Sequence, residues 1–128
     1  MNMAINKINW DKYPNFSEAE FRCRETGENE MQAEFMDKLQ ALRVRYGKPM
    51  RITSGYRSPR HSIEARKAEP GTHAQGIACD IGVKGADALL LVKLALDMGF
   101  TGIGVSQKSG GARFIHLDIA PRIAIWSY

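Results

Sequence analysis

Two stretches of the sequence place hydrophobic residues at the spacing of an amphipathic helix. Each predicted helix, over residues 32–46 and 86–98, is followed by a glycine that can end it, Gly47 or Gly99. The apolar stripe of the first comprises Phe35, Met36, Leu39, Leu42 and Tyr46. The apolar face of the second is wider and comprises Leu89, Leu90, Val92, Leu94, Ala95 and Met98. So wide a face indicates a helix that lies against a sheet.

Shorter apolar segments predict four strands, at residues 50–54, 76–83, 102–106 and 112–119. The last two are joined by a glycine-containing turn over 108–111, at the spacing of a hairpin. The order helix, two strands, helix and hairpin predicts an α+β fold. Its sheet is expected to be small, mainly antiparallel and flanked by the two longer helices.

The N-terminal part of the chain predicts little regular structure. Residues 1–15 form an irregular arm, and Ser17 and Glu20 then have the spacing of a capping box, which predicts a single helical turn. The polar stretch before residue 72 allows another short turn, at residues 63–67.

Composition favours one globular domain over residues 1–128. Of the 128 residues 44% are hydrophobic and 25% are charged, and no apolar run approaches the roughly 20 residues that span a bilayer. Stable membrane insertion is therefore not expected, and we predict a monomer. The first residues lack the apolar stretch of a signal peptide, so synthesis in the cytoplasm is expected. Cys23 and Cys79 have no metal-binding spacing; buried free thiols are favoured over a disulfide.

The formal charge of +4 suggests an anionic partner. Nucleic acid, an anionic lipid surface and an acidic cell-wall polymer all fit that charge. The basic residues are scattered and form no block of five or six, so we do not expect a nucleic-acid partner.

Strand alternation brings chemically active side chains onto one face of the sheet. In the last predicted strand Ile115 and Leu117 must face the core, which places His116 and Asp118 on the opposite face. In the second strand, the same alternation turns Asp80 away from the core. Asp80 and His116 can therefore meet if the two strands are neighbours.

A second histidine, His73, precedes the second strand in a loop flanked by Gly71 and Gly76. Two imidazoles and one carboxylate are the ligand count of a catalytic zinc site, which leaves a fourth position open. A water bound there has a pKa of about 7 and supplies hydroxide at neutral pH. The alternative is that these histidines are structural and lie beside solvated aspartates.

Three motifs in this order resemble the zinc D-alanyl-D-alanine carboxypeptidase family. They are Ser-Gly-Tyr-Arg-Ser at 54–58, His73 with Asp80 seven positions later, and His116-x-Asp118. That family includes phage and bacterial peptidoglycan endopeptidases, and its fold is shared by lysostaphin-type peptidases and the hedgehog signalling domain. The resemblance extends from about residue 16 to the end of the sequence.

The resemblance implies that His73, Asp80 and His116 bind Zn²⁺. It also implies that Arg57 faces the substrate, although this arginine can instead fix the long loop that follows it. Relatives often have an acidic residue three positions before the last zinc ligand, but this sequence has Arg113 there, which cannot accept a proton.

Asp118 is the nearest substitute for the missing acidic residue. It can act as the general base, or it can only orient His116 or Arg57. His61 is a further candidate for stabilising the transition state, and a solvated loop histidine is the alternative interpretation.

The function implied by the resemblance is zinc-dependent hydrolysis of amide bonds in peptidoglycan stem peptides or cross-bridges. A phage lysis enzyme or a tail-associated wall-opening protein would fit, and a cytoplasmic lysis enzyme would need a pore-forming partner to reach the wall or periplasm. Three alternatives remain open: a zinc-containing binding module without activity, a D-Ala-D-Ala dipeptidase or carboxypeptidase of the same family, and a basic nucleic-acid-binding module.

Overall fold

The computed structural model describes residues 8–128 and shows the expected α+β architecture. Two helices, α1 and α2, accompany a five-stranded sheet and short 3-10 turns at Trp10–Lys12, Glu18–Phe21 and Glu64–Arg66. The longer elements are α1 Ala33–Tyr46, β1 Arg51–Ser54, β2 Ala78–Gly82, α2 Gly85–Asp97, β3 Gly102–Ser106, β4 Phe114–Asp118 and β5 Ala124–Ser127.

The strand order in the sheet is β1-β2-β4-β3-β5. All neighbours are antiparallel except β3 and β5, which are parallel. The central pair, β2 and β4, aligns Asp80 directly opposite His116. The two strands that were expected to supply the chemistry are therefore adjacent.

The hydrophobic core includes buried residues of both helices and of the inner strands. From α1, the side chains of Phe35, Leu39 and Leu42 are completely buried. The helix ends at Gly47, whose φ of 72° lies in the left-handed region. The periodicity of the sequence therefore located this helix and its buried face correctly.

The buried face of α2 differs from the predicted one. Leu91 is completely buried, whereas Leu89, which was placed on the apolar face, is 73% exposed. The helix is apolar on nearly all sides, so the sequence pattern did not define which side is buried. Contacts with α1 and β4 select the side that carries Leu91, Leu94 and Ala95.

The predicted irregular arm is packed onto the core from residue 8 onward; residues 1–7 lie outside the described part of the chain. Tyr13 is buried and donates a hydrogen bond to Asp37 Oδ1 at 2.6 Å. The Trp10 ring lies 5.5 Å from the ring of Phe21. Glu20 accepts a hydrogen bond from the backbone N–H of Ser17 at 2.7 Å, so the expected capping box is present.

The strand β5 was not predicted. Ala124–Ser127 is short and lies at the edge of the sheet, with Ile125 71% exposed, so it lacks the buried alternation by which a strand is detected. Its parallel pairing with β3 brings Trp126 opposite Gly104.

The two cysteines and the length of the helices also agree with the expectations from composition. Cys23 and Cys79 are both buried and free, and burial raises the pKa of the Cys79 thiol well above its usual value. Within residues 8–128, no helix combines the length and the apolar character that crossing a bilayer requires.

We predict that Gly76→Ala destabilises the fold far more than Gly110→Ala. Both glycines have φ in the left-handed region, at 74° and 85°, which costs a side-chain-bearing residue about 1 kcal/mol. A Cβ at position 76 would also collide with the backbone of Glu30 and Met31, whereas position 110 is open. Urea unfolding should show a loss of about 1 kcal/mol for Gly110→Ala and about 3 kcal/mol for Gly76→Ala. Equal losses would contradict the packing of the His73 loop against residues 30–31.

Candidate metal centre

His73, Asp80 and His116 form one cluster, in which one ligand atom from each residue lies within 4.8 Å of the other two. Asp80 Oδ1 is at its centre, 3.0 Å from His116 Nδ1 and 3.3 Å from His73 Nε2. Both histidines are buried, and their rings contact each other edge to face with centroids 5.1 Å apart. The structure thus brings together the three residues that the sequence singled out.

The loop residue His73 is held by the Ser-Gly-Tyr-Arg segment. Its Nδ1 lies 2.9 Å from the backbone carbonyl of Gly55. Because a carbonyl only accepts, Nδ1 must carry a proton, and Nε2 is therefore the ring nitrogen that faces Asp80. The N–H of Arg57 donates in return to the carbonyl of His73 at 3.2 Å.

Gly55 can support His73 because it has no side chain. A Cβ at this position would lie only 2.6 Å from Cα of Phe21. The N–H of Tyr56 also donates to the carbonyl of Phe21 at 2.8 Å. The short N-terminal turn therefore fixes the carbonyl that orients His73.

The opposite edge of the His116 ring contacts Asp118. His116 Nε2 lies 2.7 Å from Asp118 Oδ2. The Asp118 side chain is completely buried, and Arg122 donates to its two oxygens at 2.8 Å each. The backbone N–H of Ala120 adds a hydrogen bond at 3.1 Å.

The contacts of Asp118 distinguish between a role as general base and a role as the residue that orients His116. The ring of His116 separates its carboxylate from Asp80, and both of its oxygens are engaged by donors. Hydrogen bonds from His116 and Arg122 overcome the effect of burial and hold the pKa of Asp118 well below its usual range, so it is a poor proton acceptor. The arrangement favours Asp118 as the residue that orients His116.

The charges of the cluster suit a cation. Burial opposes ionisation of Asp80, but hydrogen bonds from His116 and His73 outweigh it and lower its pKa to about 2. Burial also opposes a charge on His116, yet hydrogen bonds to Asp118 and Asp80 raise its pKa. The ring lies between the two carboxylates, which stabilise its protonated form. Two imidazole nitrogens and one carboxylate oxygen fit Zn²⁺ as a ligand set.

Several residues of the site were missed by sequence analysis. The Trp126 ring lies 5.0 Å from the His116 ring, and the Arg122 guanidinium lies 5.4 Å from the Trp126 ring. Gly102 and Gly104 of β3 make room for them: a Cβ at Gly104 would lie 2.8 Å from Trp126 Nε1, and one at Gly102 would collide with Asp118. The only sequence signal was the pair of glycines at alternate positions of β3, and their role is apparent only once β5 is placed beside that strand.

The remaining sequence candidates lie in the loop between β1 and β2. Arg57 Nη1 is 3.3 Å from Oε2 of the buried Glu64, which also pairs with Lys67. This contact supports the loop-fixing interpretation of Arg57, although it engages only one nitrogen of the guanidinium. His61 Nε2 is 3.1 Å from Glu25, and His61 Nδ1 accepts from the N–H of Ile63. His61 is therefore not brought into the cluster.

Arg113, at the position where relatives often have an acidic residue, points elsewhere. Its Nη2 donates to Ser109 Oγ at 3.0 Å, so it is held by the β3–β4 loop.

The family model described as Peptidase M15 matches residues 14–118. The matched range contains the Ser-Gly-Tyr-Arg segment and all three residues of the candidate centre. The sequence has no significant match among curated proteins.

We predict that Asp118→Asn weakens zinc binding by about 10- to 100-fold, the usual effect of losing a carboxylate that orients a ligand histidine. Zinc affinity should be measured by competition with a chromogenic chelator. Asp97→Asn on the exposed side of α2 is the matched control and should leave the affinity unchanged. Unchanged affinity in folded Asp118→Asn, together with lost turnover, would instead identify Asp118 as the general base.

Proposed function

The chain belongs to the Peptidase M15 family of metallopeptidases, and we propose that it hydrolyses amide bonds in peptidoglycan stem peptides or cross-bridges. The observation that carries this proposal is the His73–Asp80–His116 cluster, a zinc-type ligand set within the matched domain. The net charge of +4 supports an anionic polymer as the target.

In this proposal His73, Asp80 and His116 hold the zinc ion through Nε2, a carboxylate oxygen and Nδ1. A zinc ion held there would supply Lewis-acid polarisation of the scissile carbonyl and would lower the pKa of a water to about 7. The chain's own contribution is to fix these ligands before substrate arrives. Gly55 sets the tautomer of His73, and Asp118 with Arg122 sets that of His116.

Arg57 is proposed as the residue that meets the substrate. Its contact with Glu64 anchors one nitrogen, and its side chain remains 21% exposed. Its remaining N–H groups can donate to a substrate carboxylate or to the developing oxyanion.

We further propose that the protein acts on the cell wall as a phage-type lysis enzyme or as part of a phage particle. A lysis enzyme made in the cytoplasm would reach the wall through a pore-forming partner. Protein that is produced in the cytoplasm of a bacterium should then leave the cells unlysed unless the cytoplasmic membrane is permeabilised.

A second candidate is a zinc-containing binding module without activity. Arg113 favours it, because the position often occupied by an acidic residue holds a cation that is tied to the adjacent loop. Hydrolysis of cross-linked wall peptides, followed by product analysis, separates this candidate from the endopeptidase and from a dipeptidase that acts only on free D-Ala-D-Ala.

We predict that zinc-loaded protein releases new amino groups from purified peptidoglycan, and that His73→Ala and His116→Ala abolish both release and zinc retention. Each substitution removes one of three ligands, which should lower zinc affinity by several orders of magnitude. His61→Ala removes the third histidine and should retain zinc, as measured by metal analysis. Full hydrolysis by either ligand variant would overturn the assignment, and no hydrolysis by fully loaded protein would favour the binding module.

We predict that Arg57→Gln lowers kcat/KM by roughly 100-fold, the scale of a lost oxyanion or carboxylate contact. Glu64→Gln is the matched control, because it breaks the same ion pair from the loop side and leaves the guanidinium in place. If Arg57 only fixes the loop, the two variants should lose activity and thermal stability equally. A larger kinetic loss for Arg57→Gln at equal stability supports contact with the substrate.

A further inference from the structure

A basic cleft lies at the end of the sheet where β1 begins and β2 ends. Its volume is about 530 Å³, within the usual range of small-ligand sites of roughly 300–1,000 Å³. The loop between β3 and β4 closes it from the other side. The cleft is lined by Arg51, Lys84 and Arg113 and by the glycines Gly82, Gly110 and Gly111.

The charge of the basic cleft is not balanced. Its lining contains three cations and no acidic side chain. Within residues 8–128, neither Arg51, Lys84 nor Arg113 lies within 4.0 Å of a carboxylate oxygen, whereas ten other basic or histidine side chains do. Three unpaired cations around one cavity create a positive potential that attracts an anion.

The glycines give the cleft its shape. Arg51 lies opposite Gly82 in the β1–β2 ladder, and its guanidinium covers the glycine so closely that a Cβ there would lie 2.5 Å from Nη2. Arg113 is held at the other side by Ser109 and by the carbonyl of Lys108. These contacts hold the two arginine side chains on opposite sides of the cleft and leave its centre open.

The basic cleft lies on the same face of the sheet as the candidate metal centre. Gly82 is two residues beyond Asp80 on β2, and its partner Phe114 is two residues before His116 on β4. Two residues along a strand correspond to about 7 Å, and side chains two apart share one face. An extended peptide lying across the metal centre would therefore reach the cleft within one or two of its own residues.

We propose that the basic cleft is a subsite for an acidic group of the peptide substrate, one or two residues from the scissile amide. This inference rests on the proposed peptidase function. The arginine guanidinium pairs bidentately with a carboxylate, and the lysine adds a point charge. The short distance to the metal centre and the small volume favour a peptide carboxylate over a phosphate polymer, which would need a longer basic track.

Binding to metal-free protein tests the subsite independently of hydrolysis. The probe is a pair of short peptides that differ only in having Glu or Gln next to the central amide, titrated calorimetrically at low ionic strength. We expect the Glu peptide to bind at least about tenfold more tightly, the scale of one charge-assisted contact. Arg51→Gln and Lys84→Gln should each reduce that preference severalfold, and the double variant should abolish it.

The control variant is Arg45→Gln on α1. It removes the same charge from an exposed position outside the cleft and should leave the preference unchanged. If it lowered the preference as much as Arg51→Gln, general electrostatic attraction would explain the binding and the subsite would be refuted.

The remaining outcomes separate the subsite from the enzyme activity. Zinc-loaded protein that cleaves both peptides equally, with no binding preference, refutes the subsite and leaves the peptidase function intact. Preferential binding that depends on Arg51 and Lys84, in a protein whose zinc-loaded form does not hydrolyse peptidoglycan, supports the subsite and refutes the peptidase function. Tight binding of polyphosphate that requires the same cations, with no preference between the peptides, would assign the cleft to a phosphate polymer and overturn the proposal.

Discussion

The antiparallel register of β2 and β4 is the constraint on which the candidate site depends. It places Asp80 opposite His116 and leaves Cys79, Ile81, Ile115 and Leu117 in the core. A shift of one residue in either strand would exchange these two sets, because side chains alternate between faces. The burial of the core side chains therefore fixes the position of the ligands, and the site needs no additional device to align its two strands.

The buried carboxylate of Asp118 connects the metal centre to the edge of the sheet, because it contacts both His116 and Arg122. A completely buried carboxylate is costly unless charged donors surround it, and here His116 and Arg122 do so. Arg122 precedes β5, whose pairing with β3 also brings Trp126 onto the His116 ring. The closing segment of the chain thus determines the orientation of a ligand on the central strand, and the glycines of β3 provide the space between them.

The sequence predicted the structure correctly where a pattern of hydrophobic and polar residues was compatible with a single arrangement. Strand alternation and the spacing of His73, Asp80 and His116 placed the ligand cluster, and helical periodicity placed α1. It failed for α2, where apolar residues on nearly every side left the buried face undefined and Leu89 was assigned to it wrongly. It also failed for β5, Arg122 and Trp126, because their roles come from a parallel pairing between segments about twenty residues apart. For Asp118, alternation gave the correct face but could not show that Arg122 and β5 cover it.

The metal centre and the basic cleft have opposite electrostatic character on one face of β2. At Asp80 the chain concentrates negative charge from a carboxylate that burial alone would neutralise, and this favours a cation. Two residues later, Gly82 has no side chain, and Arg51 occupies the space above it. A peptide that presents its amide carbonyl to the cation and a carboxylate to the cleft would satisfy both charges at once. Because the spacing between them is set by the strand itself, this face can select for the position of an acidic group as well as for its charge.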